Sequence, residues 1–199
     1  EHIPPRLKQG DEALTFEQRP VGATLGAFWK WSVSDLLSNA TRGRLAEFIV
    51  GTAVGMPPDA VRNEWGAFDL ETTEGIKIEV KSAAYVQVWK QRSYSAIGFG
   101  IKPARFWSAT TNMDAGAPRR SADVYVFCLL HHKDKRTIDP LELEQWSFYV
   151  LPTFQLDQYP RSQSSITLKS LGTLCGPVNY PALGEEVKKA HKKQQALLA

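Results

Sequence analysis

The chain has 199 residues, which is enough to bury a substantial core and short enough for a single domain. With 43% hydrophobic and 23% charged residues, the composition is typical of a soluble globular protein and excludes the disordered and fibrous classes. The formal net charge of +3 is only mildly basic, so it permits a polyanionic partner without requiring one.

The cysteine content and the apolar runs indicate where such a protein works. Cys128 and Cys175 are too few for a disulfide framework, so we expect reduced thiols in a cytoplasmic protein. No apolar run approaches the length of a membrane span and no signal-peptide pattern opens the sequence. We therefore expect no association with membranes.

The N-terminal segment mixes charges with prolines and glycines, which predicts an irregular arm over residues 1–22. Residues 23–199 show no internal repeat and no boundary, and are interpreted as one domain that ends in a helix. The Ser-Val-Ser-Asp segment 32–35 fits an N-cap followed by an acid, and predicts a short helix ending near Asn39.

A longer helix is predicted from Thr41 to Val54. It is apolar on nearly every side, as is typical of a helix inside a domain. Glu47 is its only carboxylate, and a buried carboxylate needs a partner. A second metal position or metal-bound water, and an ion pair with Arg42 or Arg44, are equally good candidates.

Later segments have the patterns of strands. Two alternate in polarity and are joined by a loop that contains Gly75, as in a β-hairpin, and one is a continuous apolar run typical of a strand covered on both faces. The predicted strands are 67–72, 76–81, 96–101, 123–130 and 146–151, followed by a helix from about Pro181. This order predicts an α/β fold with a central mixed β-sheet flanked by helices.

The register of the predicted hairpin decides what its charges can do. A three-residue loop places Asp69 opposite Glu79, with Lys81 on the same face and opposed Cβ atoms roughly 4.5–5.5 Å apart. A two-residue turn would instead place Asp69 opposite Val80, on the wrong face. Two facing carboxylates repel each other unless a cation lies between them. Only the longer loop places the two carboxylates opposite each other, so a metal site requires that loop.

These residue types suit a magnesium site. Mg²⁺ prefers oxygen ligands and keeps several waters, so Asp69, Glu79 and a backbone carbonyl such as that of Val80 suffice. The ion can lower the pKa of its water and polarise a phosphoryl oxygen, while Lys81 stabilises developing charge. The pattern therefore predicts a phosphodiesterase that depends on Mg²⁺ or Mn²⁺. The alternative is a solvated strand face on which charges alternate.

Asp69 followed by Glu79-Val80-Lys81 on a paired strand, after a helix carrying an inward Glu47, resembles the PD-(D/E)XK nuclease superfamily, also called restriction-endonuclease-like. The resemblance covers roughly residues 41–130. It implies a restriction-endonuclease-like core, a mixed sheet flanked by helices in the order helix, three strands, helix, strand.

The same resemblance implies roles for individual residues. Asp69 and Glu79 are implied to hold the metal, Lys81 to be the catalytic lysine, and Glu47 to assist as the helix glutamate of many members. The sequence departs from the family pattern at Phe68, where proline is common.

The implied function is a metal-dependent endonuclease, acting on DNA rather than RNA, in restriction or other defence against foreign DNA. Many such nucleases are homodimers. The alternative is a catalytically inactive nuclease fold that serves as a nucleic-acid-binding or assembly module.

Basic residues near the predicted site are candidates for contacts to phosphates, although a solvated surface explains them equally well. They are Arg92, Arg105, Arg119 and Arg120. Gln87, just beyond Lys81, is interpreted as an exposed polar residue rather than a site residue.

Overall fold

The structure is a computed structural model that describes residues 3, 5–105, 107–108, 113–114 and 116–198. Its strands are β1 (Ala13–Phe16), β2 (Arg19–Thr24), β3 (Leu70–Glu71), β4 (Lys77–Ala84), β5 (Gly98–Gly100), β6 (Trp107–Ser108), β7 (Met113–Asp114), β8 (Val124–Leu130), β9 (Trp146–Pro152) and β10 (Ser165–Thr167). Its α-helices are α1 (Leu25–Val33), α2 (Asn39–Ala53), α3 (Thr153–Asp157), α4 (Leu168–Leu171) and α5 (Tyr180–Leu198), with a 3-10 helix over Leu143–Gln145.

A four-stranded sheet in the order β3-β4-β8-β9 forms the centre of the fold. Strands β4 and β8 are parallel, while β3 pairs with β4 and β9 with β8 in the antiparallel sense, so the sheet is mixed. Every residue of β8 is buried, as its continuous apolar run predicts. The α/β fold with a central mixed sheet and flanking helices is confirmed.

Alternation along the strands divides the core between the two faces of the sheet. Ile78, Val80 and Val126 lie in the core on the face that packs against α2 and α5. Ala83, Tyr125 and Phe127 belong to the core on the other face, together with residues of β5 and β10. Glu79 and Lys81 alternate with Ile78 and Val80, and they share the second face.

The hairpin has the register that the metal hypothesis requires. Leu70 is paired with Ile78 and Glu71 with Lys77, and the amide of Thr72 donates to the carbonyl of Ile76 at 3.0 Å. The loop therefore has three residues, with Gly75 at φ +80° in the left-handed region that favours glycine. The prediction of the longer loop is confirmed.

The N-terminal segment is more regular than its composition predicts. Residues 13–24, within and just beyond the predicted irregular arm, form the antiparallel β1–β2 hairpin. Helix α1 then begins after Thr24, whose hydroxyl accepts from the amide of Ala27. The pairing of β1 with β2 gives their backbone amides and carbonyls hydrogen-bond partners, although the segment contains proline and glycine.

The predicted short helix over residues 32–39 is wrong, because α1 ends where that helix was expected to begin. Ser34 is the C-cap of α1, and its hydroxyl donates back to the carbonyl of Lys30. The carboxylate of Asp35 accepts from the amides of Leu37 and Ser38, which closes a turn. Ser38 in turn caps α2.

Helix α2 confirms the longer predicted helix to within two residues at each end. Its composition predicts a helix that is buried on all sides, but the structure buries only one side. Ala46, Ile49 and Val50 face the sheet, whereas Phe48 is 58% exposed on the opposite side. The helix covers one face of a single sheet, so only one of its own faces meets the core.

The strand predicted over residues 96–101 exists as β5, but it pairs with β10 outside the central sheet. Within the described part of the chain, no helix lies between β5 and β8. Cys128 and Cys175 are both free thiols, as predicted. No helix of the described residues is long and apolar enough to cross a membrane.

Candidate active site

Asp69 immediately precedes β3 and reaches across to β4 through two hydrogen bonds. Its amide donates to the carbonyl of Ile78 at 3.0 Å, and its Oδ2 accepts from the amide of Val80 at 2.7 Å. These bonds span the position of Glu79 on the neighbouring strand. The hairpin thus brings the two predicted carboxylates together.

Glu79 and Lys81 share one face of β4 because they are two residues apart on a strand. The Nζ of Lys81 lies 2.5 Å from Oε1 of Glu79, and the two side chains are 31% and 21% exposed. The structure therefore joins Asp69, Glu79 and Lys81 in one half-buried cluster.

The electrostatics of Asp69 reflect this crowding. Burial, followed by the neighbouring charge of Glu79, raises the pKa of Asp69 to about 6. The hydrogen bond from Val80 opposes the rise, and Glu47 adds to it. A carboxyl with these neighbours favours a cation between itself and Glu79.

Glu47 is held by an arginine, although not by either arginine predicted from the sequence. Nε of Arg62 lies 2.5 Å from Oε2 of Glu47 and Nη2 lies 3.0 Å from its Oε1, while the third nitrogen, Nη1, pairs with Glu64. The Glu47 side chain is only 13% exposed. Arg62 comes from the loop after α2, which sequence proximity does not reveal.

The two arginines expected beside Glu47 lie elsewhere. Arg44 approaches Glu64 at 3.9 Å, in a pair whose side chains are both more than half exposed. Arg42 donates to Leu37, Asn39 and Ser82, away from Glu47. Glu47 therefore forms an ion pair with an arginine, as one interpretation predicted, but the partner is Arg62 and not Arg42 or Arg44.

A cleft of about 340 Å³ opens over the two carboxylates. Its floor includes Asp69 and Glu79, and its walls carry the basic residues Lys102, Arg105 and Arg119. Arg105 and Arg119 were predicted as phosphate contacts, whereas Lys102 was missed. Cations around an acidic floor are suited to a polyanion whose backbone passes over a metal site.

Arg120 is not available to nucleic acid, and its prediction as a nucleic-acid contact is wrong. Its side chain is 2% exposed and pairs with Asp157 at 2.6 Å. It also donates to the carbonyl of Ile101 and to Oε1 of Gln163 at 2.8 Å. It ties β5, α3 and the loop before β10 together. Arg92 is exposed and does not line this cleft.

The sequence matches the model of one protein family, described as Bacteriophage T4 endonuclease IV, over residues 29–167. That match covers more than half of the chain. The chain belongs to the T4 endonuclease IV family. It is accordingly a nuclease that acts on nucleic acid. No curated protein sequence matches the chain.

The T4 endonuclease IV match contains every candidate residue of the cleft. It runs from within α1 to the end of β10 and so includes the whole central sheet, but not β1, β2 or α5. The two carboxylates thus lie within the residues that match the endonuclease family model.

Two further residues of this nuclease line the cleft and were missed from the sequence. Tyr125 is paired with Glu79 across the parallel β4–β8 ladder, and burial followed by the charge of Glu79 raises the pKa of its phenol. Trp65 lines the same cleft and is 66% exposed. Only the parallel pairing, which no local pattern encodes, could have identified Tyr125.

The donor set fits a hard divalent cation held by few protein ligands. Among the described residues, no three carboxylate, imidazole or thiolate side chains come together as a metal site. Asp69 and Glu79 supply two carboxylates, and Mg²⁺ is commonly held by one or two of these plus waters and substrate phosphate. The chemistry of the residues therefore suits Mg²⁺ or Mn²⁺ better than a metal that needs a full protein cage.

Proposed function

We propose that this chain is a metal-dependent endonuclease that hydrolyses phosphodiester bonds in DNA. The observation that carries the proposal is the cluster of Asp69, Glu79 and Lys81, whose two carboxylates line a cleft that also carries basic residues. The family match supports the nuclease activity. The cluster supports Mg²⁺ or Mn²⁺ dependence.

The same cluster supports membership of the PD-(D/E)XK superfamily. An Asp immediately before one strand, a Glu-x-Lys on the next, and a Glu on the preceding helix occur here in the order of that superfamily. A parallel strand follows, as β8. The setting in restriction or defence against foreign DNA, and the choice of DNA, rest on this resemblance and are associational.

In the proposed mechanism Asp69 and Glu79 would hold the cation, and the carbonyl of Val80 would be a further oxygen ligand. When bound, the cation would supply Lewis acidity at the phosphoryl group. Lys81 leaves its ion pair with Glu79 to orient the attacking water and to stabilise the charge that develops on phosphate. Glu47, anchored by Arg62, assists through its negative charge near Asp69.

The first experiment is cleavage of supercoiled plasmid, linear duplex, single-stranded DNA and RNA, with Mg²⁺ or Mn²⁺ and with EDTA. We expect cleavage only with metal, and a loss of about 10²-fold or more in Lys81→Ala because a charge-stabilising group is removed. Lys77→Ala is the matched control, since Lys77 shares the strand and face of Lys81. Equal activity in wild type and Lys81→Ala would reject this site.

Calorimetry separates the endonuclease from an inactive nucleic-acid-binding module. We expect a heat of Mn²⁺ binding with the wild type and none with Asp69→Asn. This substitution keeps the shape of the side chain but removes its charge. A protein that binds nucleic acid but neither binds Mn²⁺ nor cuts any substrate is instead the binding module.

A further inference from the structure

A second cleft, of about 420 Å³, is lined by Lys81 but by neither of the two carboxylates Asp69 and Glu79. It is bordered by the first turns of α2 and by the end of β4. Its polar lining consists of Asn39, Arg42, Lys81, Ser82, Gln87 and Ser95. Of the described residues that line it, none is acidic. Its net character is therefore cationic, and it is linked to the candidate active site because Lys81 is paired with Glu79.

Arg42 is a buried cation that has no counter-charge among the described residues. It is 4% exposed and donates to three neutral acceptors: Oγ of Ser82 at 3.3 Å, the carbonyl of Leu37 at 2.9 Å and Oδ1 of Asn39 at 2.8 Å. Burial lowers its pKa. A guanidinium has more N–H groups than these acceptors use, and a buried charge without a partner is costly. An anion in the cleft would supply the missing charge.

Gln87 contributes an unused acceptor to the same cleft. It is 8% exposed rather than exposed as its sequence context predicts. Its Nε2 donates to the carbonyl of Ala84 at 3.0 Å and to Oγ of Ser95 at 3.2 Å, which fixes the orientation of the amide. Its buried Oε1 has no hydrogen-bond partner in the part of the chain that the structure describes. A ligand that fits the cleft should therefore carry a donor as well as a negative charge.

Gly43 keeps the cleft open. A Cβ built at this position meets no atom within 4 Å, so a side chain there would project into space without disturbing the helix. Glycine weakens a helix interior relative to alanine. The absence of a side chain at this point of α2 thus leaves room for a ligand beside Arg42.

We infer that this cleft binds a nucleotide of the substrate strand next to the scissile phosphate. Lys81 and Arg42 attract its phosphate, and the Oε1 of Gln87 accepts from a base amino group or a sugar hydroxyl. A nucleotide offers both features, the negative charge on its phosphate and the donor on its base or sugar. The inference deepens the proposed function and rests on it for the identity of the strand.

The test blocks the cleft and measures binding without metal, so that catalysis does not enter. A fluorescently labelled oligonucleotide, single-stranded or duplex, is titrated with the full chain in EDTA. We expect Gly43→Leu to weaken binding of at least one of the two by about 10-fold, with a melting temperature no lower than that of the wild type. Gly176→Leu is the control, because Gly176 is also open but lies outside the cleft.

A nuclear magnetic resonance titration with nucleoside monophosphates locates the contact. We expect the side-chain amide of Gln87 to shift in the wild type and in Gly176→Leu but not in Gly43→Leu, with a smaller shift from inorganic phosphate. Unchanged oligonucleotide affinity in a folded Gly43→Leu variant overturns the inference, even if the protein cuts DNA. Weakened binding by Gly43→Leu in a protein that never cuts supports this site and rejects the endonuclease.

Discussion

At the scale of single residues, the distribution of counter-charges makes Asp69 the unusual group of the site. Arg62 pairs with Glu47 and Lys81 pairs with Glu79. Among the ion pairs of the described residues, none involves Asp69. Since its hydrogen bond from Val80 is to a neutral donor, burial and the charge of Glu79 dominate, and its pKa rises. The position that lacks a cation is the one where we propose that the metal binds.

This state of Asp69 predicts how the stability of the metal-free protein depends on pH. The pKa of Asp69 rises from the ordinary 3.8 to about 6 on folding, so its protonation favours the folded state. That contribution is complete below about pH 4 and is lost as the pH rises through 6. Asp69→Asn should therefore be more stable than the wild type at pH 8, by up to about 3 kcal/mol, and equally stable at pH 4.

Urea denaturation in EDTA across this pH range measures the difference. Adding Mn²⁺ at pH 8 should stabilise the wild type and leave Asp69→Asn unchanged, because a ligand stabilises only the state that binds it. A wild type that gains stability, relative to the variant, as the pH rises from 4 to 8 contradicts the raised pKa.

At the scale of elements, the turn between β3 and β4 sets the site. A slip of one residue would turn Asp69 away from Glu79, because adjacent strand residues face opposite sides. The turn is closed by hydrogen bonds from Ile76 to the hydroxyl of Thr72 and from Gly75 to the carbonyl of Thr72. Gly75 accepts the positive φ that this loop imposes.

Gly75→Ala should lower the free energy of unfolding by about 1 kcal/mol, because alanine is strained at positive φ. Gly43→Ala is the matched comparison, since both positions are open but Gly43 lies in a helix with an ordinary φ. That variant should raise the free energy of unfolding by up to about 1 kcal/mol. Chemical denaturation of both variants at pH 7 measures these changes, and effects of the same sign would contradict the assigned turn.

At the scale of the whole molecule, the net charge matters less than its arrangement. The formal charge is only +3, yet an acidic floor lies under basic walls in one cleft, and a cationic cleft lies beside it. Such an arrangement draws in a polyanion while leaving the carboxylates free for a metal. The family match spans both clefts.

Replacing the basic walls should change the salt dependence of binding. Lys102→Ala and Arg119→Ala should each weaken oligonucleotide binding and lower the slope of log K against log salt by about 1, because each removes a phosphate contact. Lys169→Ala, on α4 and away from the cleft, should leave the slope unchanged. Fluorescence anisotropy in EDTA over a range of salt concentrations measures this slope for each variant. Slopes equal to that of the wild type would place the nucleic acid elsewhere.

The sequence by itself determined the features that depend on neighbours along the chain. Alternation over residues 76–81 and the apolar run over 123–130 specify strands whose side chains have defined faces. The sequence allowed two hairpin registers, and the metal hypothesis selected the three-residue loop. Together the strands and that loop bring Asp69, Glu79 and Lys81 into one cluster, because strand geometry has a fixed period of two residues.

Tertiary structure alone decided which distant groups meet. It selected Arg62 as the partner of Glu47, buried Arg120 in an internal network, and set Tyr125 beside Glu79. It also placed Gln87 with an unused acceptor in a cationic cleft. The physical reason is that parallel pairing and loop packing depend on the free energy of the whole fold, which local periodicity does not carry.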